Sequence, residues 1–296
     1  MSIIEKAAGR LELRASETLP VLDARIPPPF EHKIQHIHAH AENHPRRKIV
    51  NKVEINLATL QQRGMIVPEQ SSPSAQSQTL VTQEFSRIKR ALIRNTISQR
   101  AMKSRNGNLI MITSALSGEG KTFCAINLAM SLAKEMDHTV LLVDADVAQP
   151  SVLHTLDLTP QPGLMDLLLD DKLDLADVML KTNVDTLSIL PAGASHRNAS
   201  ELLASLAMSN LLNEISSRYS DRIVIFDSPP LLRTTEAHVL AGQMGQIVMV
   251  VEAENTTQEA VKNALQQIKS YSNVSLIYNK AEPFLDSENY GYGNSN

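Results

Sequence analysis

Leu109-Ile-Met-Ile-Thr-Ser-Ala-Leu-Ser-Gly-Glu-Gly-Lys121-Thr122 begins as an apolar run, turns through two glycines and leads into residues 123–136, which read as a helix. The apolar run predicts a buried strand. In a strand–loop–helix setting, Ala115-x-x-x-x-Gly120-Lys121-Thr122 spells a phosphate-binding loop, with Ala115 where the strict pattern has glycine. Gly118 and Gly120 let backbone N–H groups curl around phosphate oxygens, and the helix N-terminus adds partial positive charge. Ser117, Gly118, Glu119, Gly120, Lys121, Thr122 and Phe123 are therefore the candidate nucleotide contacts. Lys121 is expected to reach the β/γ-phosphates, and the Thr122 hydroxyl to ligate Mg²⁺.

Outward from that loop, residues 108–280 alternate between strand and helix patterns. Strands are expected at 139–143, 186–190, 222–226, 246–251 and 274–278, with helices at 200–217, capped by Ser200, and 257–270. Near-continuous apolar strands between helices predict an α/β fold: a P-loop NTPase with a doubly wound, mostly parallel sheet covered by helices on both faces. Ligands on such sheets sit beyond the carboxyl ends of the strands.

Three carboxylates fall at those ends. Asp144 and Asp146 follow Val-Leu-Leu-Val143, and Asp227 follows Ile-Val-Ile-Phe226. With Lys121 they should rim one crevice and supply what phosphoryl transfer requires, namely a metal clamp, a lysine and a group to orient or deprotonate the acceptor. Thr122, Asp144 and Asp227 are the expected metal ligands, and Lys121, Asp144, Asp146 and Asp227 the expected catalytic set. Helix capping is the competing role for strand-end aspartates. The acceptor stays open at this point: water would make an ATPase, a hydroxyl a kinase.

The flanks differ in composition. Residues 1–78 read as an N-terminal extension, partly disordered: a short amphipathic helix at 2–17, a Pro- and His-rich stretch to Arg47, a short helix from Asn56 to Gln62, and a polar linker at 68–77. The domain proper is expected at 79–283. It opens on a helix at about 80–103 whose Glu84, Arg87 and Arg90, spaced by three, share one flank, while Phe85, Ile88 and Leu92 share another. That charged flank is either a solvated face or a self-association surface. Residues 284–296 read as a flexible tail presenting Tyr290 and Tyr292 between glycines and asparagines.

Across the 296 residues the formal net charge is −4, with no basic excess to advertise nucleic-acid binding. The single cysteine, Cys124, excludes an intrachain disulfide and reads as a small buried hydrophobe. No apolar window approaches the 18 residues of a membrane span, and the first residues lack the apolar core of a secretory signal. A soluble cytoplasmic protein is expected.

Ser114-Ala-Leu-Ser-Gly-Glu-Gly-Lys-Thr122, Val140-Leu-Leu-Val-Asp-Ala-Asp146 and Ile223-Val-Ile-Phe-Asp-Ser-Pro-Pro230 resemble the Walker A, A′ and B motifs of bacterial tyrosine kinases. The resemblance runs from about Leu80 to the C-terminus. Ser2-Ile-Ile-Glu-Lys-Ala7 and Val53-Glu-Ile-Asn-Leu-Ala-Thr-Leu60 resemble the exosortase-associated tyrosine autokinases of exopolysaccharide loci. The family resemblance implies ATP and Mg²⁺ at the loop, with Asn279 where related folds read adenine. It implies assembly of a homo-oligomeric ring through Glu84, Arg87 and Arg90, and phosphorylation of Tyr290 and Tyr292 in trans. It further implies a membrane polysaccharide co-polymerase (a chain-length determinant protein) as activator, a cognate tyrosine phosphatase, and peripheral attachment to the inner membrane through the partner. Ala148-Gln149 stands where the family usually has a basic residue. Partitioning and division-site ATPases, the alternative nucleotide-driven switches, carry a lysine at the position of Leu116.

Overall fold

The computed structural model describes residues 51–67, 76–102, 106–218, 221–271 and 273–281. Seven strands form one sheet: β1 (Leu109–Ser114), β2 (Thr139–Asp144), β3 (Leu180–Lys181), β4 (Leu187–Leu190), β5 (Arg222–Asp227), β6 (Gln246–Glu252) and β7 (Val274–Asn279). Their order is β3-β4-β2-β5-β1-β6-β7, parallel throughout except for the two-residue edge strand β3. The sequence-based expectation of a mostly parallel sheet holds, and only β3 goes unanticipated.

Strand periodicity divides the core. Ile110, Ile112, Val140, Leu142, Ile223, Ile225, Val248 and Val250 face one side, while Leu109, Met111, Leu141, Val143, Val224, Phe226, Ile247 and Met249 face the other. Helices cover both sides, so every residue of β1 is buried.

The first side is covered by α1 (Leu57–Gln62), α2 (Gln76–Ala101), α3 (Lys121–Leu132) and α4 (Val152–Thr155). α5 (Leu164–Leu169), α6 (Leu175–Val178), α7 (Ala199–Leu203), α8 (Leu206–Arg218), α9 (Glu236–Ala241) and α10 (Gln258–Gln267) belong to the second. The continuous helix expected at 200–217 is in fact α7 and α8. The Ser205 hydroxyl accepts the Met208 N–H at 3.2 Å and starts the second helix, and Ser200 lies inside the first rather than capping it.

Residues 51–67, assigned above to the extension, are part of the packed core. Ile55, Leu60, Met65 and Ile66 are buried against α3 and its neighbours. Asn183 clamps the Ile55 backbone through both its amide oxygen and nitrogen, at 2.9 and 3.1 Å, and Asn127 Oδ1 accepts the Ile66 N–H at 2.7 Å. Arg63 Nη2 donates to both oxygens of Asp157 at 3.0 Å, and its Nη1 to the Thr155 carbonyl at 2.8 Å. The 78/79 boundary therefore does not mark the edge of the core. The expected helix at 2–17, the histidine-rich tract and the tail fall outside the described residues.

Candidate active site

The strand parity that sorts the core also sorts the site. Asp144 and Asp227 continue the Val140–Leu142 and Ile223–Ile225 alternation, so both project on the side where α3 lies. They are register partners on adjacent parallel strands. α3 begins at Lys121, bringing Lys121 and Thr122 to the same rim.

The loop between β1 and α3 has the shape its glycines allow. Gly118 and Gly120 have φ of 89° and 93°, and a Cβ on Gly120 would lie 2.1 Å from Asn279 Nδ2. Gly120 is the N-cap of α3 and supplies no capping side chain, so the first amides of the helix point at the loop cradle.

Around this cradle the predicted side chains converge. The Thr122 hydroxyl donates to Asp227 Oδ2 at 2.6 Å and lies 2.7 Å from Ser151 Oγ. Lys121 Nζ stands 3.7 Å from Asp146 Oδ2. Asp144 Oδ2 accepts the N–H groups of Ser151 and Val152, both at 3.0 Å. One oxygen of Asp144 thus takes the capping role weighed above, and the other, Oδ1, is buried without a partner. Asp227 Oδ1 is buried and unpartnered too.

Such orphaned carboxylate oxygens are costly unless a cation completes them. Burial is the main cause that pushes the Asp227 carboxyl up to about 7, against the Thr122 hydrogen bond and with the Asp144 charge. Burial likewise raises Asp144 to about 6, opposed by the Val152 and Ser151 amides. Asp146 is raised by burial and pulled back by Lys121. The donor set of one hydroxyl and two carboxylates suits Mg²⁺, which keeps waters and substrate phosphates as its remaining ligands. Among the described residues no group of three or more His, Cys, Asp or Glu side chains forms a protein-only metal cage.

The other predicted residues divide. Ser117 is exposed at the loop apex, and Glu119 is buried within the loop. The Phe123 ring turns away onto Phe85 of α2, at 6.4 Å and 64°, leaving only its backbone to the site. Asn279 reaches the loop itself, donating from Nδ2 to Glu119 O at 2.9 Å. Glu84, Arg87 and Arg90 stand on the exposed flank of α2, with Glu84 and Arg87 paired at 2.9 Å within the helix. Tyr290 and Tyr292 lie outside the described residues.

Sequence reasoning missed Ser151, Thr256, Lys280 and a cavity of about 190 Å³ beside Asp144, lined by Pro150, Leu153, His154, Leu158, Pro160 and Pro191.

The AAA domain family matches residues 107–280. YwqD, a tyrosine-protein kinase of Bacillus subtilis, is 34% identical over 195 residues, covering 65% of this chain and 78% of YwqD. The chain belongs to the bacterial tyrosine kinases. EpsB of Ralstonia nicotianae, named for the same activity, is 31% identical over 201 residues. That match covers 67% of this chain and 26% of EpsB, so the chain spans about a quarter of the length of that relative. Among solved structures, the VpsO kinase domain superposes with a TM-score of 0.58 at 28% identity, covering 69% of this chain and 98% of VpsO's. The fold and the motif-bearing strand ends of this chain therefore agree with that family.

Proposed function

We propose that this kinase is an ATP-dependent protein-tyrosine autokinase that transfers the γ-phosphoryl group of ATP to Tyr290 and Tyr292 of a neighbouring copy. The observation that carries the reading is the in-register pair Asp144 and Asp227, each with a buried free oxygen, facing Lys121 and Thr122 across one crevice. The adjoining cavity supports an aromatic acceptor. An apolar cavity of about 150 Å³ holds a benzene ring, and this one has Asp144 in its wall.

Lys121 and the amides of the phosphate loop would hold the triphosphate, and Thr122, Asp144 and Asp227 the metal. Mg²⁺ held there would offset the charge that develops on the phosphoryl oxygens. In the transfer, the phenol oxygen forms a bond to the γ-phosphorus as the bond to the ADP oxygen breaks. Asp146, tethered by Lys121, receives the phenol proton or orients the hydroxyl; its raised affinity for a proton favours that role.

The resemblance of residues 2–7 and 53–60 to exopolysaccharide-locus autokinases supports a role in regulating exopolysaccharide assembly or export. In that setting a membrane co-polymerase activates the kinase and holds it at the inner membrane, and a tyrosine phosphatase resets it. Among the described residues no helix is long and apolar enough to cross a membrane.

Complementation between two defective chains tests the trans reaction. A Lys121→Met chain with intact tyrosines, mixed with a catalytically intact Tyr290→Phe/Tyr292→Phe chain, should acquire the label. A mixture that releases phosphate steadily and labels neither chain points instead to an ATPase switch.

A further inference from the structure

Glu119 sits between the two glycines of the phosphate loop, where an anion opposes the phosphates the loop is shaped to hold. Its carboxylate is only 2% exposed, and both oxygens are engaged. Oε2 accepts the Leu116 N–H at 2.6 Å, and Oε1 accepts the Thr256 hydroxyl. Thr256 lies in the turn after β6, and its oxygen accepts the Glu252 N–H at 3.1 Å. One hydroxyl therefore ties the end of β6 to the middle of the phosphate loop, across 137 residues of chain.

The loop carbonyls are held from the same direction. Asn279 Nδ2 donates to Glu119 O and Lys280 Nζ to Gly118 O, both at 2.9 Å, and Lys280 also pairs with Glu252 at 3.0 Å. A glycine-bearing loop has much conformational freedom to lose when it orders around a ligand. Held beforehand at side chain and backbone, it loses less on binding. Two donors on the carboxylate also offset part of its charge.

We propose that Glu119 and Thr256 are positioning residues that fix the phosphate loop in the shape the triphosphate requires, so that nucleotide affinity, more than turnover, depends on their contact. This rests on the reading that the loop binds ATP.

The test uses the full chain with a non-hydrolysable Mg·ATP analogue, titrated calorimetrically, beside steady-state kinetics with ATP. Thr256→Val removes the hydroxyl at nearly constant volume, Thr256→Ser keeps it, and Glu119→Ala removes the carboxylate. Val and Ala should weaken binding about 5–20-fold and raise KM alike, with kcat at saturating ATP within about threefold of wild type. Ser should bind within about twofold of wild type. The Glu119→Ala/Thr256→Val double variant should bind no more weakly than the worse single variant, because both lose one contact. Wild-type affinity in a Thr256→Val chain with an unchanged melting temperature overturns the proposal. So does a Ser variant as weak as Val, or a loss confined to kcat. A wild-type chain that binds no nucleotide overturns the underlying ATP reading, which separates that failure from failure of the contact.

Discussion

Asp144 and Asp227 stand side by side at the carboxyl ends of β2 and β5, in register, and each keeps one buried oxygen with no hydrogen-bond partner. Adjacent parallel strands lie about 4.8 Å apart, so the two carboxylates share one small buried volume. Removing either charge should make the core more stable.

Asp227→Asn keeps an oxygen for the Thr122 hydroxyl and removes the charge. The nucleotide-free chain should gain about 1–3 kcal/mol of stability at pH 8, measured by urea denaturation. Phosphoryl transfer should fall at least about 100-fold. An unchanged rate would remove Asp227 from the metal site.

The same pair sets a pH dependence. Burial holds Asp144 at about 6 and Asp227 at about 7, both above the value of 3.8 expected in the unfolded chain. A raised folded-state value means the native protein binds the proton more tightly. These groups therefore favour folding fully at pH below the unfolded value, and that contribution is lost as pH climbs through 6 and 7. The melting temperature of the nucleotide-free chain should fall between pH 5 and 8, more shallowly in Asp227→Asn. Mg²⁺ affinity should rise over the same interval, because the ligands must be ionised. A flat melting profile identical in both proteins would contradict the assignment.

Lys121→Met removes the cation 3.7 Å from Asp146. Tyrosine labelling should drop by a factor of about 10³ or more, while the circular dichroism spectrum stays that of the wild type. Retained labelling would exclude Lys121 from the transfer step.

Leu60→Ala tests whether the segment before α2 belongs to the domain. Leu60 is 1% exposed within the core shared with α3. Truncation there should cost about 2–4 kcal/mol, read from denaturation midpoints; a loss of a few tenths would return 51–67 to a dispensable extension.

Replacing Glu84, Arg87 and Arg90 together with Ala should shrink the assembly on a sizing column. Because all three are exposed on α2, the melting temperature should hardly move, a change within about 0.5 kcal/mol. An unchanged elution volume would assign this flank to solvent.

The β1–loop–α3 unit and the three aspartates were legible in the sequence because each is spelled locally, by an apolar run closed by a glycine loop or an acid. What escaped was non-local or too short to carry a period. Two residues of β3 have no alternation to read. The break between α7 and α8 depends on one serine hydroxyl. Asp144 caps α4 through one oxygen only because Ser151 and Val152 fold back onto it. Nothing in the Glu119 neighbourhood announces Thr256. Nothing local in 51–67 said that Ile55, Leu60, Met65 and Ile66 join the core of the domain beyond the polar linker.

The most direct measurement is mass-spectrometric mapping of phosphate on the full chain after incubation with Mg·ATP, with and without the cytoplasmic segment of the proposed membrane co-polymerase. Phosphate on Tyr290 and Tyr292, dependent on Lys121 and Asp227, is the expected result. Unmodified tyrosines beside steady release of inorganic phosphate would contradict it.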